Sequence, residues 1–307
     1  QIFIGDITDN KFRNSNYSNT VPDGQYWINP LSCGNIVANV VDSCRFQIDA
    51  NTLTPSSSLG NISYNTIISE SYFKITASST SAITNNNVQQ RSTFHILSSS
   101  ISDDTSYNDC STISTTLIRN SSTVTNFQQN VVRGTLGINS TTIVDCIGNE
   151  VSAGSELKLQ QSTLSAVNYN HLDNYSTLYA VASLQDGTLS YNSVSNISGL
   201  RALGGGNSSF NMAFNNIDSQ SFAIFNGGAY DNFSYNKLSS GALFQQNDGF
   251  LGDCLYNSMI NATGININTG AYIEGFSDNT IDYSTMTLGG VTTQVLSNNF
   301  IKSTIIT

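Results

Sequence analysis

The sequence predicts an all-β fold in which the chain winds into a right-handed parallel β-helix, a solenoid of about 14 coils of ~21–22 residues each. Three observations support this prediction. An asparagine returns at nearly constant intervals along the 307 residues, apolar residues hold fixed places on both sides of it, and no segment shows the 3.6-residue period of an amphipathic helix.

The repeated asparagine, called the anchor below, lies within a short phrase that is most clearly seen in residues 252–259. From Asn65 onward, successive anchors are 19 to 23 residues apart. The anchors are Asn10, Asn39, Asn65, Asn86, Asn108, Asn130, Asn149, Asn170, Asn192, Asn215, Asn236, Asn257, Asn279 and Asn299.

Apolar residues flank the anchors at two fixed distances. The residue two places after the anchor is apolar in all fourteen copies, and the residue three places before it is apolar in thirteen. Since apolar residues make up 38% of the chain, independent draws would produce the first column roughly once in a million trials. The two columns therefore mark a true repeat and predict the inward face of each coil.

The residues before the anchor alternate as in a strand with one buried face. An apolar residue is followed by a small polar residue, often serine, and then by an aromatic residue in seven copies. The aromatic residue and the next apolar residue are three places apart, so we expect a bend at the asparagine that turns both side chains inward. Asparagine suits such a bend, because it tolerates left-handed backbone angles and its amide can bond to its own turn.

A second strand is predicted farther along many coils, where an apolar pair falls eight and ten residues after the anchor. With about three short strands per coil, consecutive anchors would lie ~4.8 Å apart, the separation of strands in a sheet. Buried amides at that spacing can satisfy one another, so we expect an asparagine ladder along a rod of roughly 60 Å. The apolar pairs are Phe73 with Ile75, Phe94 with Ile96, Leu157 with Leu159, Leu178 with Ala180, and Ile265 with Ile267.

The coil length, the inward apolar columns and the asparagine at one bend together resemble the right-handed parallel β-helix superfamily of pectate lyases, polygalacturonases and phage tailspikes. The resemblance covers essentially the whole chain. It implies the fold and its handedness, but not an activity, because this architecture serves enzymes, adhesins and viral fibres alike. The Asn-Thr-Asp, Gly-His-Gly and Arg-Ile-Lys motifs of the polygalacturonases do not occur in the sequence.

One series of coils predicts a single domain over residues 1–307, with a loop insertion around 17–30 and a smaller one around 54–58. The first phrase already stands in residues 1–12 and the last coil stops shortly after residue 301, so neither end carries a cap for the solenoid. Two explanations stay open. Either the chain is a segment of a longer protein, or its ends meet other domains or copies of itself, as a side-by-side trimer or an end-to-end stack.

Composition favours an extracellular or virion-surface location. Charged residues are only 10% of the chain, against about 25% in typical soluble domains, and serine, threonine and asparagine fill the outward positions. The 11 basic and 21 acidic residues leave a net charge of −10 without a basic cluster, which argues against nucleic-acid binding. No apolar run approaches the ~20 residues of a membrane span. The flat polar faces suit glycan binding.

The cysteines offer little chemistry. Cys110, Cys146 and Cys254 are too many coils apart to form disulfides, so we expect three buried thiols. Cys33 and Cys44 flank the bend at an anchor, and for this pair both a disulfide and two free thiols stay open.

The two histidines, His95 and His171, are isolated from cysteines and from carboxylate clusters. Zinc and similar metals need several such ligands at close spacing. We therefore expect no metal site, and no sequence motif indicates a cofactor.

If the protein is an enzyme, its carboxylates should line one groove. Asp231 and Glu274 each lie five places before an anchor, two coils and ~9.6 Å apart by strand spacing. That distance is close to the ~6.5–9.5 Å separation used in inverting glycoside hydrolysis. Asp253, in the coil between them, belongs to a column of aspartate and asparagine residues whose simpler role is to hold a bend.

Two functions of different class follow from these observations. The first is a non-enzymatic structural or adhesive β-helix of a virion fibre, tailspike shaft or extracellular filament, and it is favoured by the missing catalytic motifs. The alternative is a polysaccharide-degrading enzyme, a glycoside hydrolase or lyase, in which Asp231, Glu274 and Asp253 are the candidate catalytic residues.

Overall fold

The computed structural model shows a parallel β-solenoid, and the fold class predicted from the sequence is confirmed. In the part of the chain that the structure describes, every regular element is a β-strand, and the strands pair in parallel from coil to coil. The described residues are 3–13, 25–28, 30, 32–49, 58–111, 114–203, 210–226, 229–247, 249–261, 264–267, 271–288, 292–297, 299–302 and 305–306.

The chain divides into two compact units. The first comprises Gln1–Val144 and Ser155–Ser162, and the second comprises Asp145–Gly154 and Thr163–Thr307. The expected count of about 14 coils is corrected to about eight turns, which is the number of anchors in the second unit.

The strands that directly follow the anchors form a sheet in each unit. In the first unit, for example, Ile67 lies opposite Val41 on one side and Val88 on the other. The strands of the first unit are Lys11–Arg13, Val40–Asp42, Thr66–Ile68, Asn87–Val88, Asp109–Cys110 and Val131–Val132. Those of the second unit are Glu150–Val151, His171–Leu172, Ser193–Val194, Asn216–Ile217, Lys237–Ser239, Ser258–Ile260, Thr280–Asp282 and Phe300–Lys302.

The other strands run toward the anchors or along the long side of each coil, and some do both without a break. Strands whose residues all lie in the first unit are Phe3–Ile4, Ile7–Thr8, Gln25–Ile28, Ser32–Cys33, Ile36–Val37, Arg45–Asp49, Ser58–Leu59, Ile62–Ser63, Tyr72–Thr80, Ile83–Thr84, Thr93–Ile101, Thr105–Ser106 and Thr115–Gln128. Thr135–Ile147 and Glu156–Asn168 have residues in both units. Those of the second unit are Thr177–Ser190, Gly199–Leu203, Phe210–Ala213, Phe222–Asn226, Ala229–Ser234, Leu243–Asn247, Gly249–Leu255, Gly264–Ile267, Ala271–Ser277, Thr285–Leu288, Thr292–Ser297 and Ile305–Ile306.

The first predicted insertion is a loop only in part. Gln25–Ile28, within the predicted loop 17–30, forms a strand that pairs with Arg45–Asp49. The Tyr26 ring packs against Phe12 with 5.1 Å between centroids, so aromatic packing brings this segment back into the sheet. Residues 17–24 and 54–57 lie outside the described residues.

The inward columns fill the core as predicted. In the first unit Phe46, Phe73 and Phe94 follow one another with ring centroids 5.1 and 5.3 Å apart, and each is at most 1% exposed. In the second unit Val194 and Ile217, each two places after its anchor, are equally buried. Each side chain of this size contributes roughly 1.5–3 kcal/mol by leaving water, so repetition of the column stabilises every coil in the same way.

All five cysteines are buried and free. The three thiols expected to be buried are confirmed, and of the two alternatives for Cys33 and Cys44 the structure has the free thiols. Each of these two sulfurs lies near a backbone carbonyl instead, Cys33 Sγ 3.5 Å from Gly5 O and Cys44 Sγ 3.3 Å from Phe12 O. Burial raises the pKa of both thiols to about 11, which keeps them protonated and unreactive at neutral pH.

Candidate functional site

The anchor asparagines form a hydrogen-bonded ladder in each unit, as predicted. The Asn192 amide donates to Asn215 Oδ1 at 3.0 Å and to Val167 O at 2.8 Å, and its Oδ1 accepts from the backbone and side-chain N–H groups of Asn170. Asn192 is 1% exposed, so these partners satisfy the buried amide without water. The same side-chain bonds connect Asn10 through Asn130 and Asn149 through Asn299.

The bend lies one residue before the anchor, which corrects the prediction that it lies at the asparagine. Tyr64, Tyr107 and Tyr169 have φ angles of 57°, 56° and 58°, in the left-handed region. Among the described residues no anchor has a positive φ. The anchor amides bond to the neighbouring coils, and some, such as Asn86 and Asn215, also donate to the carbonyl two places earlier at 3.2 Å. The turn therefore falls on the residue between that carbonyl and the anchor. A left-handed φ costs a tyrosine about 1–2 kcal/mol, which the ladder and the core must offset.

Because of this bend, the side chain before the anchor points outward, and the prediction that the aromatic residues point inward is wrong. In the second unit five consecutive rings lie on one another at the surface with centroids 4.9–5.0 Å apart and planes within 3–14° of parallel. This spacing follows the strand separation of ~4.8 Å. The rings, called the aromatic column below, are Tyr169, Tyr191, Phe214, Tyr235 and Tyr256.

A concavity of about 700 Å³ lies on the outward face of the long strands in the first unit. We call it the outer groove. Gly137 opens it, because it stands in a column whose neighbours Leu117 and Lys158 carry long side chains. A Cβ at Gly137 would meet Leu117 Cδ2 at 3.1 Å and no other atom within 4 Å. The groove is lined by His95, Leu97, Leu117, Ile118, Thr135, Gly137, Ile138, Asn139, Lys158 and Gln160.

The lining of the outer groove combines apolar and polar groups. Leu97 and Leu117 are half-buried and provide an apolar floor. Lys158 Nζ lies 2.7 Å from Glu156 Oε2, with both side chains well exposed. An exposed pair of this kind is worth at most ~1 kcal/mol, so a ligand can compete for the ammonium. An apolar surface that supplies contact area, with a few polar groups that fix orientation, is the usual composition of a small-ligand site.

His95 belongs to this groove, and the sequence analysis missed that. Its Nδ1 lies 3.3 Å from the Tyr72 hydroxyl on the preceding coil, which fixes the ring on the outward face. The signal in the sequence was Gly137, a residue without a side chain among outward positions that otherwise carry one.

The structure places Asp231 and Glu274 in one column with one coil between them, and Asp253 in the adjacent column of that coil. Asp253 lies opposite Asn232 on one side and Gly275 on the other, so the preceding residues Asp231 and Glu274 stand on either side of Gly252. A Cβ at Gly252 would collide with the backbone of Asp231, which explains the glycine. Asp231 is half-buried and Glu274 is exposed.

Asp253 belongs to a column that makes contacts between coils. At the same offset from the anchor in the first unit, Asp6 Oδ1 accepts from the Asn35 N–H at 2.7 Å, and Asn35 Oδ1 accepts from the Asn61 N–H at 2.9 Å. A Cβ on Gly275 would lie 2.4 Å from Asp253 Oδ1, so this carboxylate occupies the space that a side chain at position 275 would need. These contacts agree with a structural role for the column.

A second buried polar column was not identified from the sequence. The Ser176 N–H donates to Ser198 Oγ at 3.1 Å, and the Ser198 N–H donates to Ser221 Oγ at 3.2 Å. All three serines are 0% exposed. Each stands six places after its anchor, and serine at that offset in several coils was the available signal. This column holds the second bend of these coils as the anchors hold the first.

His171 lies on the surface opposite Glu150 and Ser193 of the adjacent strands. In the described part of the chain, no three His, Cys, Asp or Glu side chains are grouped so that they could hold a metal ion. The same residues include no helix that is long and apolar enough to cross a membrane.

No family model, curated protein or solved structure matches the chain. The solenoid fold and its asparagine ladder are shown by the structure alone. Function has therefore to be argued from the outer groove, the aromatic column and the candidate carboxylates.

Proposed function

We propose that the protein is a non-enzymatic structural or adhesive β-helix, of the right-handed kind found in pectate lyases and tailspikes, that serves in an extracellular filament or virion fibre and binds glycans. The observation that carries this proposal is the outer groove. Its volume of about 700 Å³ suits a short saccharide segment, and Asn139, Lys158 and Gln160 offer groups that can bond to hydroxyls.

The polar and aromatic ladders support the structural part of the proposal. A shaft must hold its outward face in a fixed geometry, and here buried asparagine, serine and phenylalanine columns connect neighbouring coils in the same way again and again. Long strands such as Thr93–Ile101 and Thr115–Gln128 present the groove from regular backbone. A site on rigid strands requires little ordering when a ligand binds.

The alternative, a polysaccharide-degrading enzyme, is favoured by the column that contains Asp231 and Glu274. Two features weigh against it. A general acid needs shelter from water, whereas Glu274 is exposed. The carboxylate of Asp253, the third candidate, lies against Gly275 of the next coil. These two features favour the non-enzymatic proposal.

The glycan-binding proposal is tested with Gly137→Tyr, which fills the outer groove. The new Cβ meets only the flexible end of Leu117, so the backbone can keep its position and the fold should be retained. Gly5→Tyr is the matched control, because a Cβ at Gly5 has no atom within 4 Å. On a panel of immobilised glycans, the wild type and Gly5→Tyr should bind the same glycan, and Gly137→Tyr should bind it at least ten times more weakly with an unchanged melting temperature. A wild type that binds no glycan, or a Gly137→Tyr variant that binds normally, contradicts the proposal.

The enzymatic alternative is tested by release of reducing ends from the same glycans. Wild type, Asp231→Asn and Glu274→Gln should be equally inactive. Activity in the wild type that both substitutions abolish would establish the enzyme instead.

We also propose that the protein self-associates. Phe300 and Ile301, on the strand Phe300–Lys302, are 58% and 40% exposed, and a further chain that stacks on this strand would cover them. Light scattering should show an oligomer that dissociates in Phe300→Ser. A monomer at all concentrations is the opposing result.

A further inference from the structure

The aromatic column ends at Tyr169, where the adjacent coil carries a glycine. Gly148 occupies the same bend as Tyr169, with φ angles of 65° and 58°, and its N–H donates to Asn168 O at 3.0 Å. The two bends are therefore direct neighbours. Tyr191 has a ring on both sides, Tyr169 and Phe214, whereas Tyr169 has a ring on one side and Gly148 on the other.

Exposure agrees with an open ring face. Tyr169 is 59% exposed, while Tyr191, Phe214 and Tyr235 in the middle of the column are 47–50% exposed. The ring is also held in place, because Tyr191 stacks on its other face at 4.9 Å and 3° from parallel. A ring fixed before binding loses little conformational freedom when a ligand stacks on it.

Other exposed tyrosines lack this combination. Tyr107 stands at the same kind of bend, but it is flanked by Asn85 and Gln129 at the equivalent positions of the adjacent coils. No neighbouring ring fixes it. Tyr169 is thus the ring of this column that combines a stacked face with a face toward a glycine.

The surroundings indicate the chemistry of the ligand. An aromatic face is electron-rich and attracts the polarised C–H groups on the flat face of a pyranose. Glu150 follows the anchor of the glycine coil and lies opposite His171 in the sheet, and both are exposed. A carboxylate accepts hydroxyl hydrogen bonds, and an imidazole accepts or donates them. Glu150 and the net charge of −10 disfavour acidic sugars.

We infer that Tyr169, Gly148 and Glu150 form a binding site for a neutral pyranose that stacks its C–H face on the Tyr169 ring, as β-linked glucose units do. The site rests on the proposed glycan-binding function and adds a second contact with a defined sugar class. It lies entirely within the second unit, whereas the outer groove lies in the first.

The test measures binding of cellohexaose, a neutral β-linked oligosaccharide, by calorimetry. Tyr169→Ala removes the platform, and Gly148→Tyr adds a ring that covers it. The second variant should fold, because tyrosine adopts a φ of 56–58° at the equivalent bends of Tyr169, Tyr191 and Tyr256. Both variants should lose at least tenfold in affinity. Tyr107→Ala is the control and should bind as the wild type does.

The outcomes separate this inference from the proposed function. An equal loss of affinity in Tyr107→Ala and Tyr169→Ala would mean that any exposed tyrosine binds the oligosaccharide, and the inference would fail. Normal binding by both Tyr169→Ala and Gly148→Tyr, with binding lost in Gly137→Tyr, overturns the inference and leaves the proposed function standing. A wild type that binds only an acidic oligosaccharide or only an aromatic probe such as indole also overturns it.

Discussion

Replacing Asn192 with alanine tests whether the ladder holds the coils together. The substitution removes the amide that donates to Val167 O at 2.8 Å and to Asn215 Oδ1 at 3.0 Å. It also removes the oxygen that accepts from the Asn170 N–H at 2.9 Å. Alanine fits the backbone here without strain, because the left-handed φ belongs to Tyr191 and not to the anchor.

The magnitude follows from which groups lose their partner. Asn215 Oδ1 still accepts from the backbone N–H of residue 192, and the Asn170 side chain still donates to Cys146 O. The Asn170 N–H and the Val167 carbonyl lose the bonds described above. Each buried group left without a partner costs about 1–3 kcal/mol. With one water able to enter the vacated space, we expect a total loss of about 2–4 kcal/mol.

Urea denaturation of the wild type and of Asn192→Ala measures this loss, with Asn10→Ala as the matched control. Asn10 belongs to the ladder of the first unit, but its side chain is exposed, and Asn39 Oδ1 keeps the bond from the backbone N–H of residue 10. Water can replace what is lost there, so the control should cost less than about 1 kcal/mol. Equal losses at both positions, or no loss at Asn192, would refute the claim that buried amides stabilise the stack.

Three further predictions concern the core and the ionisable groups. Phe73→Ala should lower the free energy of unfolding by about 3–5 kcal/mol, whereas Tyr64→Ala, at an exposed ring, should change it by less than about 0.5 kcal/mol. Similar losses in the thermal unfolding of the two variants would contradict the assignment of inward and outward columns. Burial raises the pKa of the Cys146 thiol from 9.0 to about 12. The contribution of the protonated thiol to stability is therefore complete below pH 9 and is lost as the pH rises toward 12. A thiol reagent at pH 8 should react only after unfolding, and rapid labelling of the native protein would be the opposing result. Burial acts to raise the pKa of Asp42, but hydrogen bonds from two serine hydroxyls and the nearby Arg13 outweigh it and leave the pKa below its usual value of 3.8. The ionised carboxylate therefore stabilises the fold above pH 3.8 and ceases to do so as the pH falls through the lowered pKa, and Asp42→Asn should flatten the acid denaturation curve; an unchanged curve argues that the ion pair with Arg13 contributes nothing.

The fold could be predicted from the sequence because a solenoid gives the same environment to the same offset in every coil. Ile67 and Val194 lie in different units, yet each stands two places after its anchor and each is buried. A pattern of this kind accumulates over many coils until chance cannot explain it. The position of Asp231 and Glu274 in one column was predictable for the same reason, since the coils between them have nearly equal lengths.

The bend could not be located in this way. Asparagine tolerates a left-handed φ better than tyrosine does, so local preference alone assigns the bend to the anchor. What decides the matter is the set of bonds between Asn192 and the adjacent coils. Those partners are more than 20 residues away in sequence, and no local property of the chain reveals them.

The outer groove escaped prediction because one coil is short. Only 19 residues separate Asn130 from Asn149, and the missing residues fall between the anchor and the long strand. Gly137 therefore stands seven places after its anchor, whereas its neighbours Leu117 and Lys158 stand nine places after theirs. An alignment on the anchors alone puts Gly137 in the wrong column, and the gap that opens the groove then disappears.

The aromatic column is a consequence of the ladder rather than a separate device. Each anchor amide lies inside the solenoid and bonds to residues of the adjacent coils. The residue before the anchor must therefore take the left-handed bend, and its side chain then points away from the core. Whatever stands at that place repeats on the surface every ~4.8 Å. Aromatic residues at this spacing stack and stabilise the column by about 0.5–1.5 kcal/mol per pair, and a glycine such as Gly148 ends it. A ring or a glycine at the bend leaves the buried ladder unchanged, but it determines which ring faces are open to a ligand. Binding sites on this surface can therefore change without any change in the core.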